Sequence, residues 1–246
     1  MTDTTSGPRT PRDCEGIDPR PKLSVVIPAY NEVSTIADIL QLVLDNPIDK
    51  EVIVVDDGST DDTPQEVLQF RDRGVKLLRH ERNRGKGAAL RTAFEAAEGE
   101  IVLIQDADLE YDPENYEVLL HPFDKNRADV VYGSRFLGGP HRVLYFWHYV
   151  ANKLLTLWSN AVSNLNLTDM ETGYKAFRRE VLDEIELKER SFGVEPEITQ
   201  KLARGDWRIF EVPISYYGRT YEEGKKIGIL DAFRAFWCVI RYALAD

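Results

Sequence analysis

The sequence predicts an α/β fold in which a mostly parallel central sheet is flanked by helices. Two observations lead to this prediction: short apolar segments alternate with helical ones from residue 23 to residue 132, and the apolar segments have no polar face. A strand that is apolar on both faces must be covered on both, and neighbouring parallel strands need a crossover connection, usually a helix. A chain of 246 residues is long enough to bury a sizeable core of this kind.

The first strand is predicted at residues 23–28, a β-branched run that ends in a proline, and the first helix follows at 33–44. The same alternation then continues, with strands at 51–55, 75–78, 101–104 and 129–132 and helices at 63–74 and 87–98. The second half is less regular, with helices predicted at 143–164, 180–187, 195–204 and 229–244 and strands at 207–212 and 214–217. We expect one folded domain over residues 22–228, followed by an amphipathic helix over 229–246.

The termini and the cysteines bear on the cellular compartment of the protein. Residues 1–21 are rich in proline and contain no apolar run, so we expect a disordered tail and no signal peptide. The most apolar segment, near the C-terminus, carries charges and is too short to span a membrane. Cys14 and Cys238 lie in unlike contexts and cannot form a disulfide scaffold, which is typical of a reducing cytoplasm.

Charge and motif composition exclude several classes of protein. The formal net charge of −11 argues against binding to nucleic acid phosphates. The segment Gly85-Lys-Gly87 lacks the spacing of a phosphate-binding Walker loop and of a dinucleotide fingerprint. The four histidines have no metal-ligand spacing, and neither a Gly-x-Ser-x-Gly nor a Cys–His nucleophile pattern is present.

Acidic side chains follow three of the predicted strands at the point where each strand ends. Glu32 comes after the first strand, Asp56 and Asp57 after the second, and the Asp106-Ala-Asp-Leu-Glu110 segment after the fourth, with Arg135 after the fifth. Ligands bind at the carboxyl edge of open parallel sheets, and carboxylates crowded there repel one another unless a cation lies between them. Their oxygens suit Mg²⁺ or Mn²⁺ holding a diphosphate. One Asp-x-Asp alone is weak evidence, because Asp at a strand end also caps helices and turns.

Seven ordered segments form a distinctive set of motifs: VIPAYNE (26–32), VVDDGSTD (54–61), NRGKG (83–87), DADLE (106–110), GSRF (133–136), TDMETGYKAFRR (168–179) and EVPISYYGRTYEEGKK (211–226). Together they resemble the family 2 glycosyltransferases, in particular the polyprenyl-phosphate sugar transferases of the dolichyl-phosphate mannose synthase type. The resemblance implies a GT-A-type nucleotide-sugar-binding fold, with residues 22–228 as the catalytic domain. It also implies an inverting, metal-dependent transfer of a sugar from a nucleotide-sugar donor to a polyprenyl (dolichyl or undecaprenyl) phosphate.

The resemblance assigns residues to the donor side of the reaction. Pro28, Tyr30, Glu32, Asp56, Asp106 and Ala107 are expected to bind the nucleotide. Asp108 is expected to hold Mg²⁺ or Mn²⁺, with Glu110 as a second metal contact where many relatives carry Gln. Arg135, Arg179, Arg219 and Lys225 are expected to hold phosphates of donor or acceptor, and the spacing of Arg219 and Lys225 resembles a mobile basic loop of the family.

The sequence leaves the chemical class of the acceptor open. A phosphate acceptor is ionised at neutral pH and needs a cationic cradle, for which Lys175 is a candidate beside Arg135. A hydroxyl acceptor on a soluble sugar or glycan, as in cell-surface polysaccharide synthesis, needs a general base, for which Asp169 or Glu171 is a candidate. A binding protein without turnover is the third alternative.

The C-terminal helix predicts how the chain could meet a lipid. Phe233, Phe236, Trp237, Ile240 and Leu244 share helical spacing, with Arg234 and Arg241 on another face. Such a helix can lie in a membrane interface, with the aromatic segment 144–158 as a second contact. The stronger expectation is that these residues pack on the protein's own core or on a second copy in a homodimer.

Overall fold

The computed structural model describes residues 22–143, 145–191, 193–220 and 229–244, with the backbone alone for residues 229–233. Its strands are β1 (Leu23–Ala29), β2 (Lys50–Asp56), β3 (Val75–Arg79), β4 (Ile101–Ile104), β5 (Val130–Ser134), β6 (Lys175–Arg178) and β7 (Ile209–Pro213). Its helices are α1 (Ile36–Asp45), α2 (Thr63–Leu68), α3 (Lys86–Ala96), α4 (Tyr116–Asp124), α5 (Phe146–Ser163), α6 (Arg179–Glu184), α7 (Val194–Leu202) and α8 (Ile229–Leu244). The predicted tail at 1–21 and the predicted phosphate ligand Lys225 lie outside the described residues.

The strands form one sheet in the order β3-β2-β1-β4-β6-β5-β7. Every neighbouring pair is parallel except the two that involve β6, which runs antiparallel to both β4 and β5. The prediction of a mostly parallel sheet flanked by helices is therefore confirmed. Since β6 runs the opposite way, its first residue, Lys175, lies at the carboxyl edge of the other strands.

Two apolar cores lie on opposite faces of the sheet. Alternation along β1 sends Val25 and Ile27 into one core and Val26 into the other. Helices α1, α2 and α4 cover the first face, and α3, α5, α6, α7 and α8 cover the second. The central strands are thus buried on both sides, which explains why their sequences have no polar face.

One predicted strand is wrong, and two elements were not predicted. Residues 214–217 do not form a strand, because β7 ends at Pro213 and only Tyr216 makes isolated bridges, to Tyr111 and His141. Strand β6 and helix α4 were not expected. The first is four residues long and carries a lysine and an arginine at its ends, and the second contains Pro122.

Helix α8 packs on the protein's own core, on α5 and α7. Its buried residues are Ala235, Cys238, Val239 and Tyr242, and Phe236 packs partly buried beside them. Arg234 and Arg241 both pair with the buried Glu189, at 3.2 Å and 3.1 Å. The stronger expectation for this helix is the one the structure supports. Among the described residues, no helix is long and apolar enough to cross a membrane.

Candidate functional site

The carboxyl edge of the sheet brings most of the predicted site residues together. Strands β1, β2, β4 and β5 end there, β6 begins there, and the segment after β7 crosses in front of β4. Tyr216 and Arg219 from that segment contact Glu110, which follows β4. The segment before β6 also approaches closely: an added Cβ on Gly173 would lie 2.3 Å from Oδ2 of Asp106. A glycine is therefore required at position 173 for this segment to pack so closely against Asp106.

One arginine lies at the centre of the acidic residues after β4. The guanidinium of Arg219 donates to Asp108 Oδ2 at 2.5 Å and to Glu110 Oε1 at 3.2 Å, and it lies 3.8 Å from Glu32 Oε2. The Arg219 backbone N–H also donates to Glu110 Oε1, at 2.9 Å. We call Glu32, Asp108 and Glu110 the acidic cluster. Its residues come from the ends of β1 and β4, as their positions in the sequence predict.

Burial and neighbouring like charges alter the pKa of Asp108. Burial raises the pKa of Asp108 to about 7, and the neighbouring Asp106 and Glu110 add to the shift while Arg219 opposes it. Cations therefore favour the ionised form of Asp108. This is the behaviour expected of a carboxylate placed to bind a positive charge.

The residues expected to bind the nucleotide line the ends of β1 and β2. Tyr30 is exposed and Glu32 is partly buried beside it, whereas Asp56 is fully buried. Asp56 accepts from the Ser59 N–H at 3.1 Å and from Arg79 Nε at 3.0 Å, so its carboxylate holds the loop after β2. Pro28 lies near the end of β1. Its predicted contact with a nucleotide stays a prediction, as do those of Tyr30 and Asp56.

Asp106 has a cationic partner that the sequence analysis did not single out. Lys86 Nζ lies 2.8 Å from Asp106 Oδ1 and 3.1 Å from Glu195 Oε1, which joins α3 and α7 to the end of β4. Next to Asp106, Ala107 is buried, and its carbonyl accepts from Thr35 Oγ1 at 3.0 Å. The NRGKG segment was noted for its resemblance, but its spacing does not indicate which acid its lysine meets.

Arg135 and Asp169, both expected to be catalytic, form a two-pronged ion pair. Arg135 Nε and Nη2 donate to the two carboxylate oxygens of Asp169, each at 2.7 Å, and Asp169 is fully buried. Both Asp169 oxygens are engaged, so this residue holds Arg135 in place rather than offering a free base. Arg135 also stacks over the ring of Tyr216, 5.2 Å from its centroid.

Glu171 lies near this pair and is the better candidate for a base. Burial raises its pKa to about 8, and the neighbouring Glu195 adds to the shift. Its Oε1 atom is buried without a hydrogen-bond partner. A carboxyl group with this pKa holds its proton at neutral pH, and its ionised form is a stronger base than an ordinary glutamate once the proton is lost.

Two predicted phosphate ligands lie elsewhere than expected. Lys175 is buried below the edge, where its Nζ donates to the Met170 carbonyl at 3.1 Å, and burial lowers its pKa to about 8. Arg179 lies at the opposite edge of the sheet, because β6 is antiparallel and carries the chain away from the site. The Arg179 N–H donates to the Glu100 carbonyl at 2.9 Å, and its guanidinium donates to the Ala97 carbonyl. The expectation that Arg179 holds a phosphate at this site is therefore wrong.

A cavity of about 480 Å³ opens next to Arg135, between the chain after β5, the start of α5 and Tyr216. Its polar lining includes Arg135, Arg142, His141 and His148. Its aromatic lining comprises Phe136, Tyr145, Phe146, Tyr149 and Tyr216. A cavity with apolar walls and a few converging cationic groups suits a ligand with an anionic head and a hydrocarbon body.

Beside this cavity, α5 and the residue at 143 expose a continuous apolar surface. The residues at helical spacing are Val143, Phe146, Trp147, Ala151, Leu154, Leu157, Trp158 and Ala161, all exposed. We call them the α5 stripe. Trp147 is 75% exposed and Leu157 is 65% exposed. An apolar surface of this extent marks an interaction site on a protein that is otherwise strongly charged.

The acidic cluster fits the divalent cation that the family resemblance implies. Carboxylate oxygens are the ligands that Mg²⁺ and Mn²⁺ prefer, and Mg²⁺ is commonly bound by one or two carboxylates with phosphate oxygens and water. Asp108 and Glu110 supply two such carboxylates, and the cluster already surrounds a cationic guanidinium. Across the described residues, no three His, Cys, Asp or Glu side chains converge to hold a metal by themselves.

The fold and this edge define the class of protein, and comparison with known sequences identifies the family. Residues 24–186 match the profile of "Glycosyl transferase family 2", and the chain belongs to this family. It is 30% identical over 220 residues to an undecaprenyl-phosphate mannosyltransferase of Micrococcus luteus, covering 84% of this chain and 88% of that protein. It is 30% identical over 215 residues to a dolichol-phosphate mannosyltransferase of Pyrococcus furiosus, covering 84% of this chain and 60% of that protein. The chain thus spans less than two thirds of the archaeal relative.

Solved structures show the same fold. Glucosyl-3-phosphoglycerate synthase from Mycobacterium tuberculosis superposes with a TM-score of 0.71 at 23% identity, covering 92% of this chain and 82% of the other. A complex of that enzyme with Mn²⁺ and UDP-glucose superposes with a TM-score of 0.70. The GT-A fold expected from the sequence is therefore confirmed.

Proposed function

We propose that this protein is an inverting, metal-dependent glycosyltransferase that moves a sugar from a nucleotide-sugar donor to a polyprenyl phosphate. The observation that carries the proposal is the position of the acidic cluster beside a cavity lined with aromatic and basic side chains. The first suits the cation and diphosphate of a donor, and the second suits an acceptor with a phosphate head and an isoprenoid chain. Relatives named as undecaprenyl-phosphate and dolichol-phosphate mannosyltransferases support the choice of acceptor.

The residues at the edge perform the donor half of the reaction. Asp108 and Glu110 would hold Mg²⁺ or Mn²⁺, which supplies charge stabilisation for the leaving diphosphate. Arg219 lies close enough to add a guanidinium to the same phosphates. Lys86 fixes Asp106 beside the cluster through its 2.8 Å contact.

The acceptor half needs positioning more than proton transfer. A phosphate monoester is already ionised at neutral pH, so its oxygen can attack the anomeric carbon without a general base. Arg135, fixed by Asp169, presents its guanidinium at the cavity and would orient the acceptor phosphate. The aromatic walls would hold the first isoprene units and exclude water from the reacting sugar.

The α5 stripe offers a way for the protein to meet an acceptor embedded in a bilayer. Exposed tryptophans and leucines along one helix face can insert into the interfacial region of a membrane. The stripe and the cavity share Phe146, so a lipid could pass from the bilayer into the cavity along a continuous apolar surface. We therefore propose peripheral attachment to the membrane through α5. The sequence also offers α8 for this contact, but α8 packs on the protein's own core.

A transfer assay tests the proposal. Purified protein is incubated with UDP- and GDP-sugars and Mn²⁺ or Mg²⁺, with and without undecaprenyl or dolichyl phosphate. We expect a glycosylated polyprenyl phosphate. We also expect Asp108→Ala to reduce turnover at least about a hundredfold, because loss of a metal ligand at a charged transition state costs several kcal/mol. Asp124→Ala, which removes an exposed carboxylate paired with Lys22, serves as the control. An Asp108→Ala variant with the turnover of the control would contradict the metal assignment.

Glu171 favours one alternative acceptor. Its unpaired, buried oxygen and its pKa of about 8 are features of a general base, which a hydroxyl acceptor requires. Transfer to a soluble sugar or glycan hydroxyl, without transfer to either polyprenyl phosphate, would favour that alternative. Glu171→Gln should then abolish the transfer, whereas transfer to a phosphate should survive the change.

A further inference from the structure

Each carboxylate oxygen of the acidic cluster's two expected metal ligands already has a donor within the protein. Asp108 Oδ1 accepts from the Glu110 N–H at 3.1 Å, and Asp108 Oδ2 accepts from Arg219 at 2.5 Å. Glu110 Oε1 accepts from Arg219 at 2.9 Å and 3.2 Å, and Glu110 Oε2 accepts from the Tyr216 hydroxyl at 2.8 Å. Arg219 thus engages one oxygen of each residue.

The shortest of these contacts, between Arg219 and Asp108, affects how a metal ion can bind. Arg219 Nη2 and a divalent cation compete for Asp108 Oδ2, since both carry positive charge and repel each other when they share one carboxylate oxygen. The other oxygen, Oδ1, already accepts from the Glu110 N–H. The Arg219 guanidinium therefore opposes any cation that takes Asp108 as a ligand, and its withdrawal favours that cation.

We propose that Arg219 is a built-in counterion of the acidic cluster, that it competes with the divalent cation for Asp108, and that the donor diphosphate resolves the competition. The inference rests on the proposed function. A diphosphate offers Arg219 new anionic partners, and the planar guanidinium matches phosphate oxygens well. Metal and nucleotide then bind with strong positive coupling, and the metal alone binds weakly to the free protein.

The coupling between metal binding and nucleotide binding is reciprocal, so it can be measured by titrating either ligand. If the nucleotide strengthens metal binding by a given factor, the metal strengthens nucleotide binding by the same factor. Removing the internal competitor should increase the affinity for metal alone and decrease the coupling. The affinity for metal alone rises while the coupling to nucleotide falls. A general loss of structure would lower both, so it cannot produce this combination.

The test measures Mn²⁺ affinity by titration with electron paramagnetic resonance detection of free Mn²⁺, with and without UDP or GDP. The variants are Arg219→Gln, which removes the charge, and Arg219→Lys, which keeps it. Arg73→Gln is the control, because it removes one positive charge from a surface pair with Asp45. Thermal unfolding with and without Mn²⁺ accompanies each titration and checks that each variant is folded.

We expect Arg219→Gln to bind Mn²⁺ alone about tenfold tighter than the wild type, because the competing charge-assisted contacts are lost. We expect Arg219→Lys and Arg73→Gln to stay within about threefold of the wild type. The nucleotide should increase Mn²⁺ affinity strongly in the wild type and weakly in Arg219→Gln. In thermal unfolding, Mn²⁺ should stabilise Arg219→Gln more than the wild type.

Two results would overturn the inference, and they differ in what they say about the proposed function. If the wild type binds Mn²⁺ with nucleotide but Arg219→Gln binds Mn²⁺ alone no better than Arg73→Gln, the competition is absent and the metal site stands. If no variant binds Mn²⁺ even with UDP or GDP, the metal assignment fails, and the competition fails with it.

Discussion

Three acids at the catalytic edge each have a cationic partner. Asp169 is paired with Arg135, Asp106 with Lys86, and Asp108 with Arg219. A cation beside each of these acids offsets the repulsion between neighbouring carboxylates.

The Arg135–Asp169 pair predicts a large effect on stability. Arg135→Ala leaves the fully buried Asp169 without its partner, so we expect a loss of about 3–5 kcal/mol in the free energy of unfolding. Adding Asp169→Asn to Arg135→Ala should recover part of the loss, because a neutral amide is cheaper to bury than an unpaired carboxylate. Urea denaturation of the two single variants and the double variant measures this. Strictly additive losses would show that the pair is not coupled.

Glu171 predicts a pH-dependent difference in stability. Its pKa is raised from 4.5 to about 8 in the folded protein, so folding favours its protonated form. The stability that it contributes is complete below pH 4.5 and is lost as the pH rises to about 8. Glu171→Gln has no proton to lose there.

We therefore expect Glu171→Gln and the wild type to melt at similar temperatures at pH 5, and the variant to melt about 5 °C higher at pH 8.5. Differential scanning calorimetry across this range measures the difference. Glu184→Gln, on the exposed end of α6, serves as the control and should show no such trend. A constant difference between Glu171→Gln and the wild type would contradict the assigned pKa.

The sequence predicted the acids of the site better than their partners. Asp108 and Glu110 could be placed because they follow a strand that is recognisable from its apolar run. The pairing of Arg219 with these acids depends on a chain segment more than 100 residues later, and no local pattern encodes it. Arg179 was misplaced for a related reason: its position depends on the direction of β6, and a four-residue strand does not reveal its direction.

At the scale of elements, helix α3 is held against the segment before α7 by backbone contact. Gly85 has a φ of +93°, and a Cβ added there would lie 1.9 Å from the Arg190 carbonyl oxygen. Its N–H donates to Asp57 at 2.6 Å. The start of α3 is thus fixed both to the loop after β2 and to the chain before α7, and this places Lys86 at Asp106.

A pair of glycine variants separates backbone strain from steric contact. Gly74 has a φ of +91° with nothing within 4 Å of an added Cβ, so Gly74→Ala should cost about 1 kcal/mol. Gly85→Ala carries the same strain and also a clash with the main chain, so we expect it to cost at least about 2 kcal/mol more. Chemical denaturation measures both. Equal losses would mean that the segment before α7 moves freely away from α3.

The elements that the sequence predicted well are those with a clear apolar pattern. Strands β1, β2 and β4 and helices α1, α3 and α8 fall within a few residues of their predicted positions. The predicted strand at 214–217 failed because its alternating residues serve individual contacts. Ile214 packs in the core, and Tyr216 donates to Glu110. A pattern of alternating burial can thus arise without a strand partner.

At the scale of the whole molecule, the apolar α5 stripe and the acidic cluster lie on either side of the same cavity. The proposed attachment to a membrane predicts that the stripe governs binding to lipid. Trp147→Ser, Leu154→Ser and Leu157→Ser together should reduce co-sedimentation with anionic vesicles by at least about tenfold, because three exposed apolar groups no longer leave water. These residues do not line the cavity, so transfer to a short-chain, water-soluble polyprenyl phosphate should persist.

Exposed apolar residues on another surface supply the control. Leu42 on α1 and Leu68 on α2 are 46% and 51% exposed. Leu42→Ser with Leu68→Ser should leave vesicle binding unchanged. If the control and the α5 variant bind vesicles equally well, or if the wild type does not bind, the stripe has another partner. A concentration-dependent change in mass by light scattering would then indicate a second copy of the chain.

The antiparallel β6 also has a consequence for synthesis of the chain. Strands β1 to β4 can pair as soon as they are made, but β5 pairs only with β6 and β7. Their first residues, Lys175 and Ile209, lie 45 and 79 residues after Val130, the first residue of β5. Until β6 arrives, the growing polypeptide presents β4 as an open, entirely apolar sheet edge. A nascent chain that stalls between residues 135 and 174 therefore exposes a template for aggregation. Chaperones that bind hydrophobic strand edges would bind nascent chains of this length.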